Sequence, residues 1–193
     1  MKKAILIPTV SLFIICLCAA AVLGVVNGIT EDKIAQNAVQ TEMESRKIVM
    51  PDAADFGEVK QGNYSYEGTD SPYSYVEAKD ADGNVIGYVL VTQSTGYGGA
   101  IQTMTGIDAQ GKVTGIEFLE INETVGLGMN AKKDSFKNQF KNLSGTITVT
   151  KNSPGDNEIK ALTGATITSK AAANGVNIAL EIYKNVIGGE SNG

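Results

Sequence analysis

Asp108-Ala109-Gln110-Gly111-Lys112-Val113-Thr114-Gly115 repeats the pattern of Asp80-Ala81-Asp82-Gly83-Asn84-Val85-Ile86-Gly87, with Ala, Gly, Val and Gly recurring at alternate positions in both. The first five residues of each segment carry the Asp, Asn and Gly of tight turns. Runs of alternating character flank them: Tyr73 to Ala78 and Val85 to Thr92 around the first, Ala100 to Ile107 and Val113 to Ile121 around the second. Such alternation across a turn predicts a β-hairpin, and a duplicated hairpin predicts one antiparallel sheet of four or more strands. No βαβ alternation is visible, which argues against a doubly wound parallel sheet.

Downstream and between the hairpins lie two glycine-spaced loops. Ser94-Thr95-Gly96-Tyr97-Gly98-Gly99 joins the hairpins, and Glu123-Thr124-Val125-Gly126-Leu127-Gly128-Met129 follows the second. Glycines at this spacing either turn a corner or let backbone approach a ligand closely. Asp134 to Leu143 reads as a short helix whose Phe136 and Phe140, at i and i+4, pack on the sheet as core rather than stack on a cofactor. Thr146 to Thr150 alternates as a strand, and Asn152 to Asn157 reads as a loop.

Residues 161–178, ALTGATITSKAAANGVNI, then run from a hydroxyl-rich turn into an amphipathic helix expected over Ser169 to Ile187, with Ala172, Val176, Ala179, Tyr183 and Val186 on its apolar face and Gly188 and Gly189 ending it. Two readings of Thr163-Gly164-Ala165-Thr166 stand side by side. One is a strand-to-helix turn in which Thr or Ser caps the helix; the other is an anion site, where free N–H groups and partial positive charge meet a phosphate.

Upstream, Lys2 and Lys3 precede an uncharged run from Ala4 to Val26, and the next charge is Glu31. That run is long enough to span a hydrocarbon core of about 30 Å, and the lysines keep the N-terminus cytoplasmic. A cleaved signal peptide competes, because Ala19 to Ala21 offers a cleavage site, but the apolar run continues through Val26 and favours an anchor. Thr30 is expected to cap a stalk helix from Thr30 to Lys47, with Ile34, Ala38 and Val39 on its apolar face and Pro51 stopping it. The expected organisation is an anchor over 1–29, a stalk over 30–50, a folded domain over 51–189 and a tail over 190–193, an α+β chain.

Composition narrows the chemistry. The net charge of -5 and the lack of a basic stripe argue against a nucleic-acid partner. The chain has no His, and its 2 cysteines, Cys16 and Cys18, both lie in the apolar N-terminal run. Ser-His and Cys-His catalysis, Cys/His zinc sites, His-ligated haem and iron–sulfur clusters on the folded domain are therefore excluded. Any redox chemistry must come from an organic cofactor.

The order of anchor, Gly-Tyr-Gly-Gly (96–99), Gly-Ile-Asp (106–108), Glu-Thr-Val-Gly-Leu-Gly (123–128) and Leu-Thr-Gly-Ala-Thr-Ile-Thr-Ser (162–169) resembles the G subunit of the Rnf-type ion-translocating electron transport complex, over essentially the whole chain. It is similar, more distantly, to the C subunit of the sodium-translocating NADH:quinone reductase. The resemblance implies an antiparallel-sheet FMN-binding domain with packed helices, carried outside the cytoplasm by a single-pass anchor. It implies FMN bound covalently through its phosphate to Thr166, the last residue of a pattern that Thr163, Gly164 and Ala165 match. It places Tyr97, Glu123, Thr124, Gly126, Leu127 and Gly128 near the flavin. No catalytic residue and no metal ligand are implied. Lys160 departs from the pattern, which has Asp there, and Val125 stands where the family commonly has Pro, implying a less rigid loop.

The implied function is electron relay between ferredoxin and NAD, coupled to cation translocation, in a membrane complex with other subunits. A stand-alone extracytoplasmic FMN carrier and a non-redox cell-surface module are the alternatives. An unaided threonine hydroxyl is a poor nucleophile and no His or soluble Cys activates it, which argues against self-flavinylation. The resemblance implies maturation by a separate flavin transferase using FAD and a metal ion.

Overall fold

In the computed structural model, which describes residues 2–188, the chain divides between Glu42 and Met43 into two units. The described residues of the first are all helical. α1 (Lys2–Val49) contains a stretch, Pro8–Gly28, long and apolar enough to cross a membrane. The expected break before a separate stalk is absent. Thr30 is not an N-cap: its hydroxyl donates to the Val26 carbonyl at 2.7 Å, the back-bond of a residue inside a helix. Asn27 and Gly28 do not break the helix, because the cost of one glycine is about 1 kcal/mol against the hydrogen bonds on either side. The side chains of Ile34 and Ala38 lie outside the described residues, as do Gly189 and the tail; Val39 is exposed.

The second unit is built on a six-stranded antiparallel sheet. β3 (Thr69–Lys79), β4 (Val85–Thr95), β5 (Ala100–Asp108) and β6 (Val113–Ile121) form its body, in that order, and β1 (Asp55–Phe56) and β2 (Lys60–Tyr66) both pair with β3. The duplicated hairpins are thus β3–β4 and β5–β6, joined by pairing of β4 with β5. The strand expected over Thr146 to Thr150 forms as β7 (Thr148–Thr150); its partner β8 (Glu158–Lys160) and their parallel pairing were not expected, because three residues without an alternating neighbourhood show no period.

α2 (Asp134–Lys137) is shorter than the expected helix. It is followed by a single 3-10 turn, Asn138–Phe140, and preceded by another, Gly128–Lys132. Phe136 and Phe140 are core as expected, buried and edge-to-face at 5.7 Å. α3 starts earlier than expected, at Thr166, runs to Ile182 and continues as a π-helical turn, Tyr183–Ile187, with Gly188 still helical.

Each face of the sheet carries a core. On one, Leu90, Ile101, Ile107 and Ile116 pack with Phe136, Phe140 and the Ala171, Ala172, Val176 and Ala179 face of α3. Full burial of side chains of this size contributes about 1.5–3 kcal/mol each. α3 rides close over β4 and β5: the Gly175 carbonyl accepts the Thr92 hydroxyl at 2.8 Å, and a methyl at Gly175 would meet Thr103 Oγ1 at 3.0 Å. On the other face, Val49 and Met50 lie against Val76, Val89 and Met104. The echoed Gly87 and Gly115, with Gly106 between them, have their reason in this packing. A β-carbon on Gly106 would overlap the Val49 carbonyl, one on Gly115 would lie 3.2 Å from the Val49 Cα, and one on Gly87 would overlap the Ile107 carbonyl and meet the Met50 methyl at 2.7 Å. The repeat therefore encodes a seat for residues 49 and 50 as well as two turns.

Candidate functional site

The chain enters α3 from β8 through Ala161 to Ala165. Gly164 adopts φ +77, which an L side chain rarely takes. Leu162 accepts the Ala165 N–H at 3.0 Å, closing the turn. Ala165 is the N-cap and has no side-chain oxygen to offer, and Thr166 is the first helical residue. The expected Thr or Ser cap is therefore not formed. The first bond of the helix runs from the Ser169 N–H to the Ala165 carbonyl, at 3.0 Å. The N–H groups of Thr166, Ile167 and Thr168 precede it, so this helix begins with open donors and the positive end of its dipole.

Ser169, fully buried, was not singled out by the sequence. Its Oγ accepts the Leu162 N–H at 2.9 Å and donates to the Ala165 carbonyl at 2.9 Å. A serine at this position reads as an ordinary helical residue, because the partner seven residues earlier is set by the turn and not by helical spacing.

The glycine-spaced loops meet in front of this turn. Glu123 is half-buried, and its carboxylate accepts the N–H groups of Tyr97 at 2.7 Å and Gly98 at 3.2 Å. Gly128 fits between the loop and α3: a β-carbon there would lie 2.7 Å from both Glu123 Oε2 and Thr168 Oγ1. These elements enclose a cavity of about 730 Å³, within the range of about 300–1,000 Å³ typical of cofactor sites.

Thr163, Gly164, Ala165 and Thr166 line this cavity, with Tyr97, Glu123, Thr124, Leu127 and Gly128. Of the expected site residues only Gly126 does not. It turns the loop at φ +81, and its carbonyl accepts the Asn130 side-chain amide at 2.7 Å. Leu162, Ile167, Lys151 and Lys160 line it without having been expected to. Lys160, the departure from the family pattern, is held at its backbone by Gln139, whose Oε1 accepts the Lys160 N–H at 2.7 Å. Phe136 and Phe140 do not line the cavity. Among the described residues no group of His, Cys, Asp and Glu could hold a metal ion.

An uncapped helix start, two lysines, an apolar wall and a hydroxyl at the first helical position suit a ligand with a phosphate at one end and a broad ring system at the other. Residues 96–181 match the family model described as the FMN-binding domain, and residues 1–47 match the RnfG N-terminal region. The fold agrees with that of the C subunit of the Na(+)-translocating NADH-quinone reductase from Parabacteroides distasonis (TM-score 0.51, 22% identity, 67% of this chain and 76% of that one). Fold and site together define an FMN-binding domain behind an N-terminal helix.

The chain is 39% identical over 186 residues to the G subunit of the Na(+)-translocating ferredoxin:NAD(+) oxidoreductase complex of Acetobacterium woodii, covering 91% of this chain and 89% of that one. It is 35% identical over 190 residues to the proton-translocating counterpart of Clostridium ljungdahlii, covering 98% and 97%. The chain belongs to the family of G subunits of the ion-translocating oxidoreductase complexes.

Proposed function

We propose that this protein is the FMN-carrying subunit of a membrane ferredoxin:NAD oxidoreductase complex that couples electron transfer to cation translocation, with FMN esterified through its phosphate to Thr166. The observation that carries this reading is the position of Thr166: first residue of an α3 that has no side-chain cap, in the wall of a cavity of about 730 Å³. The bound FMN would supply the electron chemistry that the side chains lack. The chain's own part is to hold and orient it. The open N–H groups of Thr166, Ile167 and Thr168 face the phosphate end, and Lys151 and Lys160 add positive charge. Leu127, Leu162 and Ile167 give the cavity an apolar wall. The glycines at 96, 98 and 128 let backbone come close.

In this reading Pro8–Gly28 crosses the membrane with the N-terminus cytoplasmic, the domain from Met43 lies outside the cytoplasm, the other subunits of the complex are its partners, and a flavin transferase attaches the cofactor. A tether retains FMN where a dissociated one would be diluted. Mass spectrometry of the denatured protein after co-expression with a flavin transferase tests the attachment. The expected result is one FMN adduct on the peptide containing Thr166, absent from Thr166→Ala; an unmodified wild-type mass, or an adduct that persists in the variant, rejects it. Because Thr166 is not a cap, the variant should lose no more than about 0.5 kcal/mol of stability.

A further inference from the structure

Resting on that reading, we infer that Ser169 is a positioning residue that holds the acceptor turn in the shape in which Thr166 can be modified. A serine inside a helix ordinarily returns its hydroxyl to the carbonyl four residues earlier, and Ser169 does so to Ala165 at 2.9 Å. The same oxygen also accepts the Leu162 N–H at 2.9 Å, seven residues back, and so ties the two sides of the turn together.

The cross-link spans Thr163 and Gly164, both exposed, and closes the loop directly ahead of Thr166. Through this oxygen the turn is fixed without help from the side chains of Thr163 or Thr166, so the hydroxyl that is to react remains unengaged. The helix start is open for a separate reason, the alanine at its N-cap, and its N–H groups are free for the incoming phosphate. Ser169 is itself fully buried behind the turn and does not line the cavity, so it acts through the backbone rather than by touching the flavin.

In the modification, the Thr166 oxygen forms a bond to the FMN phosphorus of FAD while the phosphoanhydride bond breaks. AMP departs with the bridging oxygen, and the hydroxyl proton passes to a base of the transferase. Ser169 takes no part in these bond changes. It sets the geometry in which they start.

The test compares wild type, Ser169→Ala and Thr166→Ala, full chain, with a fixed limiting amount of flavin transferase and FAD. Adduct is followed by mass over time, and amide hydrogen exchange is measured in the unmodified proteins. In wild type the Leu162 amide should be protected while that of Gly164 exchanges fast. In Ser169→Ala the Leu162 amide should exchange at least tenfold faster and adduct should form at least tenfold more slowly, with protection at Ile178 and Ala179 unchanged.

Adduct formation in Ser169→Ala at the wild-type rate overturns the inference. If that variant does not fold, the wild-type exchange decides alone: a Leu162 amide as fast as that of Gly164 overturns it as well, and a protected one supports it. Absence of adduct from wild type would reject the esterification itself, an outcome distinct from failure of the Ser169 role.

Discussion

At one end of the sheet, Asp80 accepts the N–H groups of Asp82 and Asn84, and Asp108 those of Gln110 and Lys112, residues two and four positions later. At the other end Glu123 does the same chemistry at long range, accepting from Tyr97 and Gly98, 26 and 25 residues earlier. In each case a carboxylate gathers two backbone donors, but the Asp residues fold their own turns, whereas Glu123 fastens one loop to another. The first arrangement makes a hairpin, and the second makes the front of a cavity. A local carboxylate needs only the adjacent sequence to be right; the long-range one requires the strands between its partners to be in register first.

The contrast should be largest at the glycines. A methyl at Gly98 would overlap the Asn122 carbonyl, whereas one at Gly83 meets nothing within 4 Å and suffers only the left-handed backbone at φ +85. Gly98→Ala should therefore cost about 3 kcal/mol in urea denaturation, and Gly83→Ala about 1 kcal/mol. Equal losses would mean that the two ends are held alike.

Next in size is the clamp itself. Glu123→Ala removes both acceptors and should cost about 2 kcal/mol, with faster exchange of the Tyr97 and Gly98 amides and poorer flavin loading. Glu123→Gln keeps an oxygen at the same place and should lose about half as much. Full loss in the Gln variant would show that the charge, not the acceptor geometry, holds the loops.

The smallest effect is expected with pH. The Asn84 side-chain amide, then the backbone N–H groups of Asn84, Asp82 and Gly83, hold the Asp80 carboxyl below its ordinary 3.8. A lowered value means that the contact contributes in full above pH 3.8 and is lost as pH falls through the folded-state value. Melting temperature followed into acid should fall slightly less steeply for Asp80→Asn than for wild type; an identical acid slope would remove Asp80 from the account.

Much of the fold was legible because its signals are local. The period of two in β3 to β6, the turn residues between them and the i, i+4 spacing of Phe136 and Phe140 each act within a few residues. The departures share a cause. The continuous α1, the start of α3 at Thr166 and the pairing of β8 with the expected strand β7 depend on what neighbouring chain does, and an element as short as β8 carries too few residues to show a period. At the site, the glycine-spaced loops and the Thr-Gly-Ala-Thr turn stood out as a pattern, and all but Gly126 of the expected residues line one cavity. Ser169, Lys151 and the Gln139 support of Lys160 did not, because their partners or their approach to the cavity are set by the folded backbone.

By itself the sequence determined the antiparallel hairpins, the apolar N-terminal span, the absence of imidazole and of thiols outside that span, and the hydroxyl-rich Thr-Gly-Ala-Thr turn before the last helix. These are properties of composition and of neighbours a few residues apart. Only the tertiary structure decided that the glycine echo seats Val49 and Met50, that Glu123 draws the two loops together, and that Ser169 ties Leu162 to Ala165 across the turn. Each of those depends on where the folded backbone places its partners, and such contacts exist only once the sheet has fixed the distance between them.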